Sequence, residues 1–320
     1  MKLVFTLLTV IVLTVSGFAT TREYAHDGGT GQTAFAPHPF TITSPDWVTT
    51  RTSLTASSLT VDYTVSANTS SSDRYGTIAV SQNGVTQNCD LHQAGKMTVV
   101  SSASYSPNRI ASGGFISLFG AGLSTLTMNG PISSSLAGVT LTVICANQAK
   151  YEGQLFYISP TQVNALLPTI PAGPATIVIT SPVNKTTDNI VINAVSPEFY
   201  TVNQQGTGQA AGVLQTNLGT QAESQTVFSI LNELIPVEFK PGDNFLLLFG
   251  SGIRGQNPAI PDYALIGGQS FPIIYAGDQL QYEGLDQVTI PVPTSLKGRG
   301  VLDVQVVIDG IPANLVSIRF

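Results

Sequence analysis

Side chains capable of chemistry are few in this sequence, and their placement limits what they can do. The 320-residue chain has three histidines, His26, His38 and His92, and two cysteines, Cys89 and Cys145. Only 10% of its residues are charged, against about 25% in an ordinary soluble protein. A serine hydrolase of the nucleophile-elbow type needs G-x-S-x-G on a strand-to-helix turn, and no such run exists. The histidines all lie in the first third, away from most serines. A thiol nucleophile would have to be Cys89 or Cys145, and neither opens a predicted helix; nor do the two have the spacing of a zinc site. Glycoside hydrolysis needs two facing carboxyl groups. The acids here are sparse and scattered, and spacing alone does not decide against that chemistry.

Two glycine-rich runs invite a nucleotide reading. Gly250-Ser251-Gly252-Ile253-Arg254-Gly255 fits G-x-G-x-x-G after a strand, but a dinucleotide site needs a helix to begin there and meet the pyrophosphate. Pro258 and Pro261 block that helix. Gly28-Gly29-Thr30-Gly31-Gln32 lacks the Gly-Lys-Ser/Thr ending of a phosphate loop. No cofactor is expected. His26-Asp27 could touch a cation, although a flexible N-terminal segment is the plainer reading. Among the aromatics, Tyr63 and Tyr75 are the candidate ligand platform, while the single tryptophan, Trp47, is assigned to a strand and its core rather than to sugar stacking.

The elements that must carry these residues are short strands. Val61-Asp62-Tyr63-Thr64-Val65-Ser66, Thr140-Leu141-Thr142-Val143-Ile144 and Val301-Leu302-Asp303-Val304-Gln305-Val306-Val307 alternate apolar and polar residues. That period puts one face on a core and the other in water. Prolines recur throughout and interrupt any long helix. Only 223–234 could be helical, and two strands running on into Ile235–Phe239 are preferred there. Regular spacing of short strands predicts an all-β chain of tandem Ig-like β-sandwich domains.

An internal repeat divides the chain. Phe115-Ile116-Ser117-Leu118-Phe119-Gly120-Ala121-Gly122-Leu123 matches Phe245-Leu246-Leu247-Leu248-Phe249-Gly250-Ser251-Gly252-Ile253. Downstream, Gln162-Val163-Asn164 matches Gln287-Val288-Thr289. The expected organisation is a signal peptide over 1–19, a first sandwich over 20–96, and two homologous repeats over 97–197 and 198–320. Phe119 and Phe249 are expected in equivalent core positions, and the glycines after them in an architectural turn.

Lys2, the apolar run Leu3 to Val15, and small residues at Gly17 and Ala19 predict export with cleavage after Ala19. The apolar run is too short to span a bilayer, and no cysteine follows it to take a lipid. In an oxidising compartment Cys89 and Cys145 could pair. They fall in different predicted domains, so two unpaired thiols are the favoured reading. The net charge is −6, and basic residues occur singly. Nucleic acid and anionic membrane surfaces are therefore not expected partners. Ser317-Ile318-Arg319-Phe320 is read as the end of the last strand, with an outer-membrane barrel terminus as the alternative.

The repeats resemble the Solibacter-type C-terminal domain, a family of secreted proteins. The resemblance rests on Ser106-Pro107, Gly120-Ala121-Gly122-Leu123, Gly138-Val139, residues 157–164 (Tyr-Ile-Ser-Pro-Thr-Gln-Val-Asn), Pro197-Glu198-Phe199-Tyr200, and residues 206–211. The second copy adds Leu248-Phe249-Gly250-Ser251-Gly252-Ile253-Arg254, Tyr275-Ala276-Gly277 and Gly284-Leu285-Asp286-Gln287-Val288. That family brings no established activity. Residues 20–96 resemble the BACON module through Gly28-Gly29-Thr30-Gly31, Asp46-Trp47-Val48, residues 65–70, Arg74, residues 76–80 and Gln93-Ala94-Gly95. They lack the cysteine and first tryptophan usual in its N-terminal half. This second resemblance implies a polysaccharide or cell-surface glycan as partner. The expected function is an extracytoplasmic, non-enzymatic adhesion, binding or spacer protein. The alternatives are a carbohydrate-binding module protein and an accessory chain of a degradative enzyme system.

Overall fold

The computed structural model describes residues 21–320 apart from 25, 36–38, 71, 218–221 and 229–233. The expected leader, 1–19, and His38 lie outside the described residues. The chain divides into two compact units, 1–96 and 97–320.

The strands of the first unit are β1 (Arg22–Tyr24), β2 (Gly29–Phe35), β3 (Thr41–Thr43), β4 (Val48–Leu54), β5 (Leu59–Val65), β6 (Arg74–Gln82) and β7 (Val85–Gln93). They form two sheets, ordered β1-β7-β6-β3 and β2-β5-β4. Their inner faces meet across a core in which Val48, Tyr63 and Val65 pack with Ile78, Cys89 and Leu91. A smaller cluster joins Phe35, Leu59 and Val61 to Val80. The β6–β7 hairpin turns on Asn83-Gly84, both at positive φ (50° and 76°), a two-residue loop whose twist suits a hairpin. The turn pairs Gln82 with Val85 and thereby sets the whole register, down to Tyr75 opposite His92 and Arg74 opposite Gln93.

The second unit holds two cores. Around the first lie β8 (Thr98–Ser101), β9 (Phe115–Phe119), β10 (Met128–Ser133), β11 (Ser135–Leu136), β12 (Val139–Cys145), β13 (Lys150–Glu152), β14 (Gln154–Ile158), β15 (Gln162–Leu166), β16 (Gly173–Thr180) and β17 (Lys185–Ile192). They pair as β10-β14-β15-β9-β8 and β11-β12-β16-β17. Around the second lie β18 (Glu198–Phe199), β19 (Gly208–Gln209), β20 (Gly212–Thr216), β21 (Glu223–Thr226), β22 (Asn244–Ser251), β23 (Tyr263–Ile266), β24 (Gln269–Pro272), β25 (Tyr275–Asp278), β26 (Asp286–Pro291), β27 (Val301–Ile308), β28 (Ile311–Pro312) and β29 (Val316–Arg319). Their sheets run β21-β20-β22-β26-β25 and β19-β29-β27-β23-β24. The architecture is all-β, a series of Ig-like sandwiches.

The two copies of the sequence motif take corresponding strands. β9 pairs β15 with Phe119 opposite Gln162 and Ser117 opposite Asn164. β22 pairs β26 with Phe249 opposite Gln287 and Leu247 opposite Thr289. In both copies the glutamine amide donates along its own strand, Gln162 Nε2 to Asn164 Oδ1 at 2.9 Å and Gln287 Nε2 to Thr289 Oγ1 at 3.0 Å.

Two expectations need correction. Phe119 and Phe249 are equivalent but only half-buried. The fully buried residues are their neighbours on the opposite face, Ile116 and Leu118 in one copy and Leu246 and Leu248 in the other, as the two-residue period of a strand requires. Ile235–Phe239 forms no strand: only an isolated bridge joins Pro236 to Arg319, since proline brings no N–H to a ladder. Residues 229–233 lie outside the described set.

Leu248→Ala should therefore lower stability by about 2–5 kcal/mol, and Phe249→Ala by clearly less. Urea unfolding of both variants followed by far-ultraviolet circular dichroism checks the order, and a larger loss for Phe249→Ala would contradict the assigned faces.

Candidate functional site

The expected platform residues separate completely. Tyr63 belongs to the alternating set Leu59, Val61, Tyr63 and Val65, all pointing inward. It is 3% exposed, its hydroxyl accepts from Tyr24 Oη at 3.0 Å and it lies 3.9 Å from Cys89 Sγ. Burial first, then Tyr24, pushes the Tyr63 phenol far above its ordinary range. A ring so enclosed offers no face to a ligand, and Tyr63 leaves the platform. Cys89 and Cys145 are free, buried thiols in the cores of separate units.

Tyr75 is the opposite case. It is 71% exposed and stacks on the His92 imidazole, centroids 4.5 Å apart and planes 11° off parallel. His92 is fixed in turn at both nitrogens. Nδ1 meets a Glu23 carboxylate oxygen, and Nε2 lies 2.9 Å from Asp73 Oδ2. Asp73 uses its other oxygen to accept from Gly95 N at 2.9 Å. Neutral imidazole has one N–H, whereas both nitrogens here face carboxylates, so the cation is the form that satisfies the geometry. Burial lowers the His92 pKa, but the bonds to Asp73 and Glu23 outweigh it and hold the group above 6.5. Stacking on this cation favours the orientation seen for the Tyr75 ring.

The surroundings suit a polar ligand. Outward positions on β6 and β7 carry Thr77, whose hydroxyl donates to Asp90 Oδ1 at 2.8 Å, and Ser81 and Thr86, whose hydroxyls pair at 2.8 Å. Thr41 and Thr43 extend the same face on β3, opposite Ser81 and Ala79. Trp47 plays no part there. It sits just before β4, half-buried, with the Arg74 guanidinium 4.4 Å above its ring and packed on the first core. The His26 carbonyl accepts from Asn68 N at 2.6 Å and Gln93 Nε2 at 3.1 Å. Among the described residues no group of three or more His, Cys, Asp or Glu side chains is disposed to hold a metal.

The glycine run at 250–255 is a joint. Gly252, at φ +79°, sits so close to the preceding segment that a Cβ would fall 2.2 Å from Ser196 O, and Ser196 N donates to Gly252 O at 2.9 Å. Ser251 Oγ accepts from Phe115 N at 3.0 Å, tying the turn to the first core's β9. Asp286, fully buried, holds the turn from behind. It accepts from Ile253 N at 2.7 Å and from Arg254 Nε at 2.7 Å. Burial raises its pKa against the pull of Ile253 and Arg254. Arg109 adds a second tie, pairing with buried Glu198 and donating to Pro312 O at 2.6 Å. Glu198 and Asp286 both stand in the motifs of the repeats, and an acid next to an apolar strand residue is the only local signal of their burial.

No protein-family profile and no curated protein matches the sequence. Among solved structures, the Bacteroides ovatus SGBP-B of a mixed-linkage glucan utilization locus, in complex with a mixed-linkage heptasaccharide, aligns over 98% of this chain and 68% of its own, at 13% identity and a TM-score of 0.30. An I-band fragment of titin aligns over 93% and 94%, at 12% identity and 0.24. A Bacteroides ovatus xyloglucanase in complex with a heptasaccharide aligns over 41% of this chain and 28% of its own, at 16% identity and 0.22. At such identities and TM-scores no role passes from these proteins to this chain. Among the described residues no helix is long and apolar enough to cross a membrane.

Two outcomes follow from this geometry. A raised folded-state pKa at His92 gives stability that is whole below the unfolded value and is lost as pH rises through the folded one. The first unit should therefore melt at a lower temperature near about pH 9 than near about pH 6, and His92→Asn should flatten that dependence. Trp47 is the single tryptophan, so its fluorescence reports this unit; equal slopes in both proteins would count against the clamp. In the second unit, Asp286→Ala should cost about 1–3 kcal/mol by leaving the buried Ile253 N–H without its acceptor, while Arg254 keeps Asp278 at 3.5 Å; urea unfolding reads the loss.

Proposed function

We propose that this chain is an exported, non-enzymatic binding protein whose first unit contacts a polysaccharide through the face around Tyr75, while 97–320 serves as a jointed spacer of two homologous sandwiches. The observation that carries the reading is the Tyr75 ring, exposed and held flat on His92. An aromatic face fixed in orientation stacks on the apolar side of a pyranose ring with little ordering cost, and the hydroxyls and carboxylates beside it can bond to the sugar's hydroxyl groups. The spacer part of the reading is supported by the joint, where Ser251 and Arg109 tie the two cores of 97–320 together and Asp286 holds the turn that carries Ser251. Export is supported by the apolar run and small residues of 1–19.

Native affinity electrophoresis of the purified chain in polysaccharide-containing gels tests the reading. Retardation by at least one polysaccharide, abolished by Tyr75→Ala with Trp47 fluorescence unchanged, is the expected result. Retardation that survives Tyr75→Ala would remove this face from the function.

A further inference from the structure

The face that carries Tyr75 has a charge pattern that discriminates among sugars. Alternation on β6 and β7 turns Ile78, Val80, Cys89 and Leu91 into the core and leaves Tyr75, Thr77, Asp90 and His92 on the outer side. Glu23, 69% exposed, and Asp73 reach the same place from β1 and from the segment before β6. Three carboxylates thus stand on or beside this face. Among the described residues that face carries one cation, His92, and both its N–H groups are already given to Glu23 and Asp73. Arg74, next along the chain, is turned away onto Trp47, Gln93 and Ser66 O.

The strands of this face therefore carry net negative charge even with His92 charged, the exposed Lys96 standing beyond the end of β7. An anionic sugar arriving on those strands would be repelled by their net negative charge. A neutral pyranose brings what the face lacks: hydroxyl hydrogens to donate to carboxylate oxygens, and an apolar ring side to lie on Tyr75. We infer that this face takes neutral, hydroxyl-rich polysaccharides and rejects uronate polymers. The inference rests on the reading that Tyr75 contacts a polysaccharide, and adds the ligand's charge class.

The test uses the purified full chain in native gels containing hydroxyethylcellulose, a neutral glucan, or polygalacturonate. At low salt the neutral polymer should bind at least about fivefold more tightly than the acidic one, and the gap should narrow at ~0.5 M salt as screening shortens the reach of the carboxylates. Asp90→Asn, which keeps side-chain shape and removes one charge, should raise the ratio of acidic to neutral binding. Tyr75-dependent binding of polygalacturonate as tight as that of the glucan, or a ratio unmoved by Asp90→Asn, overturns the charge selection while leaving Tyr75 in place. Failure of both polymers to bind, or binding unaffected by Tyr75→Ala, defeats the underlying reading and the selection with it. A Tyr75-dependent dimer in sedimentation would assign the face to a second copy and overturn both.

Discussion

The buried carboxylate of Asp286 is the constraint on which the joined pair of sandwiches depends. A charge removed from water is costly unless it is paired and hydrogen-bonded. Asp286 meets both conditions through the turn after β22, whose Ile253 N–H and Arg254 guanidinium converge on it. Because those donors are bound from behind, the turn presents its other side, Ser251 and Gly252, to β9 and to the segment at 194–196. Every glycine of 250–255 lies against backbone at a distance that no side chain could share. The same turn thus serves both the interior of the second core and its contact with the first.

The first unit uses the same economy for a different end. In a chain with 10% charged residues, besides the exposed Lys240–Glu223 pair, three ion-pair groups among the described residues hold a shape: Arg254 with Asp286 and Asp278, Arg109 with Glu198, and His92 between Glu23 and Asp73. The first two are turned inward and fix a joint. The third stands at the surface, so the group it fixes is a ring that solvent can reach. Its Glu23 arm also ties β1, a three-residue strand in parallel pairing at the sheet edge, to β7. One histidine therefore couples the edge of the sheet to the orientation of Tyr75.

Much of this was legible in the residues, and the failures have definite causes. The motif Phe-Gly-x-Gly and its Gln-Val partner located β9, β22, β15 and β26, because strands that repeat in sequence repeat their pairing. The phase within those strands was harder. Phe-Leu-Leu-Leu-Phe is apolar on both faces, so its period gives no side, and only Ser117 in the first copy sets Phe115 and Phe119 apart from Ile116 and Leu118. Tyr63 was readable and was misread: it shares its phase with Val61 and Val65, which places it in the core. Tyr75 and His92 are 17 positions apart in sequence, and their contact depends on the register set at Asn83-Gly84. His92 with Glu23 spans 69 positions. Contacts of that range follow from sheet topology, which local periodicity does not carry.

The open geometry of the Tyr75 face bears on how such a protein would work. An aromatic contact adds about 0.5–1.5 kcal/mol beyond the area it buries, and a flat sheet buries little of a ligand compared with a cleft. One ring on one sheet therefore gives weak attachment at each site. Weak single contacts become retention when several act on one polymer, since each later contact is intramolecular and gains from effective concentration. A polymer with repeated rings would therefore be held by several copies of this face acting together.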